Sequence, residues 1–199
     1  MSGFSTARQK MVDGQVRPSD VTDLRIIDAM LAVPREAFVP DNKRALAYLD
    51  LDLDVGEGDS ATRFLIKPAV LAKMLQAAEI RETDSVLVVG CGTGYTAAVI
   101  CQFARQVRST ASVDGDQANA PFDVIVLNGA TEIVPEKLYG QLRDGGRLVG
   151  VFATSQPPRA TMVTRSHGDF GNRALFDAAA PVLPGLERLP AFVFYPFCL

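Results

Sequence analysis

Histidine and cysteine are scarce in this sequence, and their scarcity excludes several kinds of site. The chain has one histidine, His167, and three cysteines, Cys91, Cys101 and Cys198. A Ser-His-Asp triad on any other histidine is therefore excluded, and no residues show the spacing of zinc ligands. His167 stands beside a glycine and an aspartate, which predicts an exposed loop. The odd cysteine count predicts a reduced protein without structural disulfides, as in the cytoplasm.

An excess of basic charge and long apolar runs are also lacking. The net charge is −3 and the isoelectric point is about 5.2, which does not favour nucleic acid or anionic lipid as a partner. No apolar run approaches the roughly 20 residues of a membrane-spanning helix. The N-terminal stretch MSGFSTARQKMVDGQVRPSD has no apolar signal-peptide core. We therefore expect a cytoplasmic protein that binds neither nucleic acid nor membrane.

What the sequence does contain is the alternation of helices and strands of an α/β protein. Ser19 and Asp20 are N-cap residues ahead of one helical apolar pattern, and Pro68 opens another. Buried strands are predicted at SVLVVG, FDVIVLNGA and GRLVGVFA, and a C-terminal antiparallel hairpin at ATMVTRSH and AFVFYPF, with a loop between them. This order predicts a mostly parallel, doubly wound sheet covered on both faces, with an N-terminal helical extension.

A regular alternation of leucine and aspartate runs through residues 49–54, LDLDLD. Its period of two predicts a half-buried strand, because successive side chains of a strand point to opposite faces. The three carboxylates then either line a cleft for a cationic substrate or lie on a solvent-exposed face, which is the commoner position of charged residues.

A glycine-rich loop joins the first buried strand to the helix that follows. It reads Gly90-Cys91-Gly92-Thr93-Gly94 and is followed by Tyr95. Glycine permits both a tight turn and a close approach of the backbone to a ligand. The dinucleotide fingerprint needs G-x-G-x-x-G, and the tyrosine replaces its last glycine, which disfavours a nicotinamide-dependent oxidoreductase. The loop therefore predicts a nucleotide-type site at the carboxyl end of a strand; a structural turn without a ligand is the alternative.

The loop in its context, VLVVGCGTGYTAAVI, resembles motif I of S-adenosylmethionine-dependent methyltransferases. VPREAFVP, DVGEGDSATRFLIKPAVLAKML and PFDVIVLNGATEIVPEKLYGQLRDGGRLV resemble the protein-L-isoaspartate O-methyltransferase family in particular. The resemblance implies a Rossmann-like methyltransferase fold with a seven-stranded sheet, S-adenosyl-L-methionine as cofactor, and methylation of isoaspartyl carboxylates in damaged proteins. The cofactor-binding residues that it implies are Gly90, Cys91, Gly92, Thr93, Gly94, Tyr95, Asp116 and Asn128.

One departure from the family pattern concerns the substrate. The family carries a hydroxyl two residues before the proline that corresponds to Pro68, and this sequence has Ile66 there. Ser60 and Thr62 lie near but out of register, and they are the candidate catalytic residues; Lys67 is a candidate cation for a carboxylate. We therefore expect weakened activity on isoaspartyl residues, with a catalytically silent binding protein of the same fold as the alternative.

A second departure is the shortness of the segment after the glycine loop. Only 33 positions separate Gly90 from Asp123, and one strand–helix–strand crossover takes about 30 residues. We recognise no second strand there and no acidic residue at its end for the ribose. Without that strand, SVLVVG would be an exposed apolar edge. The sequence therefore predicts a missing segment near 107–114, inside a cofactor-binding core at 81–199 that follows a substrate-side extension at 1–80.

Overall fold

The computed structural model describes residues 3–56 and 63–189 of the chain. A six-stranded sheet organises it, and two very short strands form a second sheet. The strands are β1 (Leu53–Asp54), β2 (Phe64–Leu65), β3 (Ser85–Val89), β4 (Gln106–Thr110), β5 (Phe122–Thr131), β6 (Leu142–Phe152), β7 (Arg159–Ser166) and β8 (Asp169–Asp177). The α-helices are α1 (Gly3–Met11), α2 (Leu24–Ala32), α3 (Pro68–Ala78), α4 (Tyr95–Ile100) and α5 (Glu136–Tyr139).

The large sheet has the order β4-β3-β5-β6-β7-β8. Strands β4, β3, β5 and β6 are parallel, whereas β7 and β8 are antiparallel to their neighbours. The three predicted buried strands correspond to β3, β5 and β6, and they lie side by side in the centre. This Rossmann-like arrangement confirms the predicted fold class.

Both faces of the sheet are covered, because alternate residues of β3 enter different apolar clusters. Val86 and Val88 pack with α2, α3 and α4, whereas Leu87 and Val89 pack with residues of α5 and with the segment after β8. The first cluster takes residues from both sides of position 80. The predicted division of the chain at residue 80 stays a prediction.

The predicted absence of a strand after the glycine loop is wrong. β4 pairs in parallel with β3 along its whole length, from Ser85 beside Gln106 to Val89 beside Thr110. The pattern was hard to recognise because β4 is an edge strand of mostly exposed polar residues, which is how edges avoid aggregation. β4 covers the apolar edge of β3, so an exposed edge is no longer an argument for missing residues. The missing segment near 107–114 stays a prediction. The described residues form six strands in this sheet, where the resemblance implies seven.

The C-terminal hairpin is present, but its second strand was wrongly predicted. β8 pairs with β7 across a turn at His167 and Gly168, both with positive φ. β8 lies in the segment predicted as a loop, because its residues are mostly exposed and show no apolar alternation. The stretch AFVFYPF at 191–197 lies outside the described residues. The turn confirms that His167 is an exposed loop residue.

Two N-terminal predictions also need correction. The N-cap of α2 is Asp23, whose carboxylate accepts the backbone N–H of Arg25 at 2.9 Å, and neither Ser19 nor Asp20 caps the helix. Of the predicted strand at 49–54, only β1 forms. Two of the three carboxylates of that stretch bind the backbone of the chain itself, since Asp52 accepts the N–H of Lys67 and Asp54 that of Gly56. α3 begins at Pro68, as predicted.

Candidate functional site

The glycine loop leaves the carboxyl end of β3 in a left-handed backbone conformation. The φ angles are +71° at Gly90, +54° at Gly92 and +95° at Gly94, values that L side chains rarely adopt. The loop then enters α4 at Tyr95. The three glycines are therefore required by the turn itself, and the turn exposes the backbone to the cleft above the sheet.

Asn128, on β5, holds the loop in place from below. Its side chain is 2% exposed. Its amide group donates to the carbonyls of Phe64 at 3.1 Å and Gly90 at 3.0 Å, and its carbonyl accepts the hydroxyl of Thr96 at 2.6 Å. A side-chain amide has two N–H donors, and both are used here. The structure thus shows Asn128, a predicted cofactor-binding residue, tying β2, the loop and α4 together.

Thr93 and Tyr95 connect the loop to the N-terminal extension. The Thr93 hydroxyl donates to the carbonyl of Phe38 at 2.6 Å. The Tyr95 ring is fully buried, lies edge-on to Phe38, and has the guanidinium of Arg35 4.8 Å from its centroid. Burial raises the pKa of Tyr95, and the positive charge of Arg35 opposes the rise. Both predicted cofactor residues therefore direct their side chains towards the extension.

Arg35 is the central buried group of the extension, in the VPREAFVP stretch. It is 1% exposed and donates to the carbonyls of Ala47 at 2.8 Å and Ile66 at 2.9 Å. Removal from water lowers its pKa, partly offset by Tyr95. Its burial was missed from the sequence, because Arg35 stands next to Glu36 and arginine is almost never fully buried unless paired.

Above the loop lies a cleft of about 120 Å³. Its lining includes Arg63, the loop residues Gly90 and Gly92, Ala111 and Val113 beyond the end of β4, and residues 181–184. A carbon added at Gly90 would stand 2.4 Å from a methyl group of Leu183, so that leucine covers the loop. Cys91 lies in the loop, partly buried and with a free thiol.

The size and lining of this cleft do not fit S-adenosyl-L-methionine while Leu183 is in place. Pockets for ligands of that size have volumes of about 300–1,000 Å³. β4 ends at Thr110 and is followed by Ala111, so its carboxyl end has no carboxylate for ribose hydroxyls. Asp116 is not among the residues that line the cleft: both of its carboxylate oxygens accept from the amide nitrogen of Asn119 at 2.9 Å, and its backbone N–H donates to the side-chain carbonyl of Gln141.

A second cavity, of about 500 Å³, adjoins the loop on the side of the extension. Its lining consists of Ala37, Phe38, Val39, Pro40, Val55, Arg63 and Thr93. Arg63 thus borders both cavities, and it is the one charged residue among the described residues that line either of them. Nothing in its sequence context identified it.

The residues predicted on the substrate side are Ser60, Thr62 and Ile66. Ser60 and Thr62 lie outside the described residues. Ile66 is 1% exposed and packs in the apolar core, so its side chain does not border either cavity. Its alignment with the family hydroxyl stays a prediction, but a substrate has no access to this side chain as the structure stands.

Residues 3–56 and 63–189 contain neither a cluster of metal ligands nor a membrane-spanning helix. Within them no three histidine, cysteine or acidic side chains group together as metal ligands. No helix there has both the length and the apolar character to cross a bilayer.

Solved structures share this fold. A protein-L-isoaspartate O-methyltransferase superposes with a TM-score of 0.76 at 21% identity, over 90% of this chain and 67% of that one. A Plasmodium falciparum protein of similar description, crystallised with S-adenosyl-L-homocysteine, has a TM-score of 0.69 at 14% identity, over 92% and 99%. At such identities the likeness supports the fold alone.

The sequence comparisons give the family. Protein-L-isoaspartate O-methyltransferase of Roseiflexus sp. (strain RS-1) is 37% identical over 173 positions, covering 73% of this chain and 77% of the relative. Since 73% of 199 residues is about 145, about 28 of those positions have no counterpart here. The family model described as Protein-L-isoaspartate(D-aspartate) O-methyltransferase (PCMT) matches this chain in two parts, residues 6–117 and 106–171. The two parts overlap at 106–117, around β4, so the match is interrupted there. These matches span the extension, the glycine loop and the central strands, and the chain belongs to the protein-L-isoaspartate(D-aspartate) O-methyltransferase family.

Proposed function

We propose that this protein transfers a methyl group from S-adenosyl-L-methionine to the side-chain carboxylate of isoaspartyl residues in proteins. The observation that carries the proposal is the position of Arg63 between the glycine-loop cleft and the 500 Å³ cavity. A carboxylate acceptor must lie where these two spaces meet, and a guanidinium binds a carboxylate through paired hydrogen bonds. Family membership supports the same reaction.

This reaction asks little of the protein beyond binding and orientation. S-adenosyl-L-methionine supplies an activated methyl group when bound, and an ionised carboxylate is a nucleophile at neutral pH, so no general base is required. Holding two groups in line is itself a large source of catalysis. That requirement agrees with a chain whose single histidine, His167, lies in the turn between β7 and β8.

The partner that follows from this proposal is a protein or peptide with an isoaspartyl residue, rather than nucleic acid or membrane. The net charge of −3 supports that choice. We also propose a cytoplasmic location, which is supported by the free thiols of Cys91 and Cys101.

The test is methyl transfer from labelled cofactor to an isoaspartyl peptide, compared with the same peptide containing aspartate. We expect transfer to the isoaspartyl form and a KM about ten- to a hundredfold higher for Arg63→Ala, since hydrogen bonds to a charged group contribute about 1.5–3 kcal/mol. Arg63→Lys should restore part of the loss. Arg105→Ala is the control, because Arg105 stands at the opposite, amino end of β4, paired with Glu82.

Two results would contradict the proposal. Equal transfer to the two peptides would remove the isoaspartyl specificity. Binding of S-adenosyl-L-homocysteine without transfer to either peptide would leave a binding protein of the same fold.

A further inference from the structure

Residues 181–186, here called the strap, cross the carboxyl ends of β3 and β5. The N–H of Ala130 donates to the carbonyl of Pro181 at 2.8 Å, and the N–H of Leu183 donates to the carbonyl of Ala130 at 2.9 Å. Between them Val182 forms an isolated parallel bridge with Ala130. The strap is therefore held to the sheet at a single residue of β5, not by a continuous ladder.

The side chain of Leu183 fills the space that the glycines leave open. A carbon added at Gly129 would lie 2.8 Å from a Leu183 methyl group, and one at Gly90 only 2.4 Å. The leucine is 8% exposed, packed among the apolar residues of that face. It thus occupies the surface of the loop that a ligand would have to approach.

The far end of the strap has its own attachments. The carbonyl of Leu186 accepts the N–H of Glu132 at 2.9 Å, and the carboxylate of Glu132 accepts the N–H of Arg188 at 2.8 Å. Leu186 is 4% exposed. These contacts lie beyond the cleft. The N–H of Leu186 also donates to the carbonyl of Leu183 at 2.9 Å, so movement of the strap away from the loop breaks this turn or the two bonds to Ala130.

We propose that Leu183 is a gating residue, which covers the glycine loop and must leave it when the cofactor binds. The proposal rests on the proposed function, because it takes S-adenosyl-L-methionine as the ligand. It explains why a loop with three left-handed glycines borders a cleft of only about 120 Å³. Leu183 then sets the apparent affinity for the cofactor without belonging to the transfer chemistry.

The size of the effect follows from the burial of one leucine. If a protein binds its ligand only in an open form, its apparent affinity is the intrinsic affinity multiplied by the fraction of molecules that are open. Burial of a leucine side chain disfavours opening by about ten- to a hundredfold. Leu183→Ala should therefore bind S-adenosyl-L-homocysteine at least about tenfold more tightly than the wild type.

The first measurement is calorimetric titration of the full chain with S-adenosyl-L-homocysteine. Leu138→Ala is the matched control, because it removes the same side chain from the same apolar cluster, on α5 and away from the cleft. Both variants lose packing, but only Leu183→Ala should gain affinity.

The second measurement is hydrogen exchange of the wild type with and without S-adenosyl-L-homocysteine. The amides of Leu183 and Ala130 should be protected in the free protein and lose protection on binding. The two hydrogen bonds of the strap predict this directly.

The outcomes separate the gate from the function itself. If Leu183→Ala binds S-adenosyl-L-homocysteine with the affinity of the wild type, the gate is overturned and cofactor binding stands. The same holds if the strap amides of the wild type stay fully protected when the ligand binds. Binding by Leu183→Ala alone supports the gate. Absence of binding by both forms overturns the proposed function and the gate with it.

Discussion

Removal of the buried guanidinium of Arg35 should strongly destabilise the protein. Arg35→Met keeps the apolar stem but leaves the carbonyls of Ala47 and Ile66 without donors, and it removes the cation from the ring of Tyr95. Arg35 lies in the extension, whereas Tyr95 opens α4. The substitution therefore weakens the joint between the extension and the glycine loop as well as the local packing.

Three contacts stabilise the buried guanidinium, and one cost opposes them. Each buried acceptor left unsatisfied costs about 1–3 kcal/mol, and a desolvated cation–π contact contributes about 2 kcal/mol. Against them stands the cost of burying the charge, which shows in the lowered pKa of Arg35 and which Arg35→Met relieves. The lost contacts sum to about 4–8 kcal/mol. Relief of a charge-burial cost of several kcal/mol leaves an expected net loss of about 2–4 kcal/mol in the free energy of unfolding.

Urea unfolding followed by circular dichroism measures this loss. Arg44→Met is the matched control, because Arg44 lies on the 3-10 helix Asp41–Leu46, close after Arg35 in the chain, with its side chain 47% exposed. The control should change stability by no more than about 0.5 kcal/mol. An Arg35→Met protein as stable as the wild type would show that charge burial outweighs the three contacts, and the reasoning would then be wrong.

Three further predictions concern single positions and the mass of the chain. Ile66→Ser should cost about 2–5 kcal/mol of stability by urea unfolding and should not raise turnover of an isoaspartyl peptide, because the side chain is buried; faster turnover would mean that position 66 reaches the substrate. Asp23→Ala should cost about 1 kcal/mol at pH 7. Since the hydrogen bond from Arg25 holds the Asp23 pKa below 3.8, that stabilisation is present above pH 3.8 and is lost as the pH falls through the folded pKa, so unfolding of both forms at low pH should show a smaller difference. If residues are missing near 107–114, the intact mass should exceed 21.4 kDa by about 3 kDa, the mass of about 28 residues; a measured 21.4 kDa would contradict this.

The sequence by itself determined the centre of the sheet, the glycine loop and the family. β3, β5 and β6 each contain a short apolar run, and a run buried on both faces of a sheet shows in the sequence wherever it occurs. The loop was recognisable because its three glycines meet a local backbone requirement, now seen as positive φ at Gly90, Gly92 and Gly94. α3 was predicted for the same reason, since Pro68 and the apolar stripe are local signals.

Only the tertiary structure decided what surrounds that loop. β4 and β8 are exposed strands whose pairing partners, not their composition, make them strands. Asn128 has the hydrogen-bonding groups of a ligand-binding residue, but Phe64 and Gly90 occupy its donors. Leu183 covers Gly90 from 93 positions further along the chain. A local pattern records whether a side chain is buried, but not which distant residue buries it, so the access of a cofactor to the loop depends on a contact that only the folded chain creates.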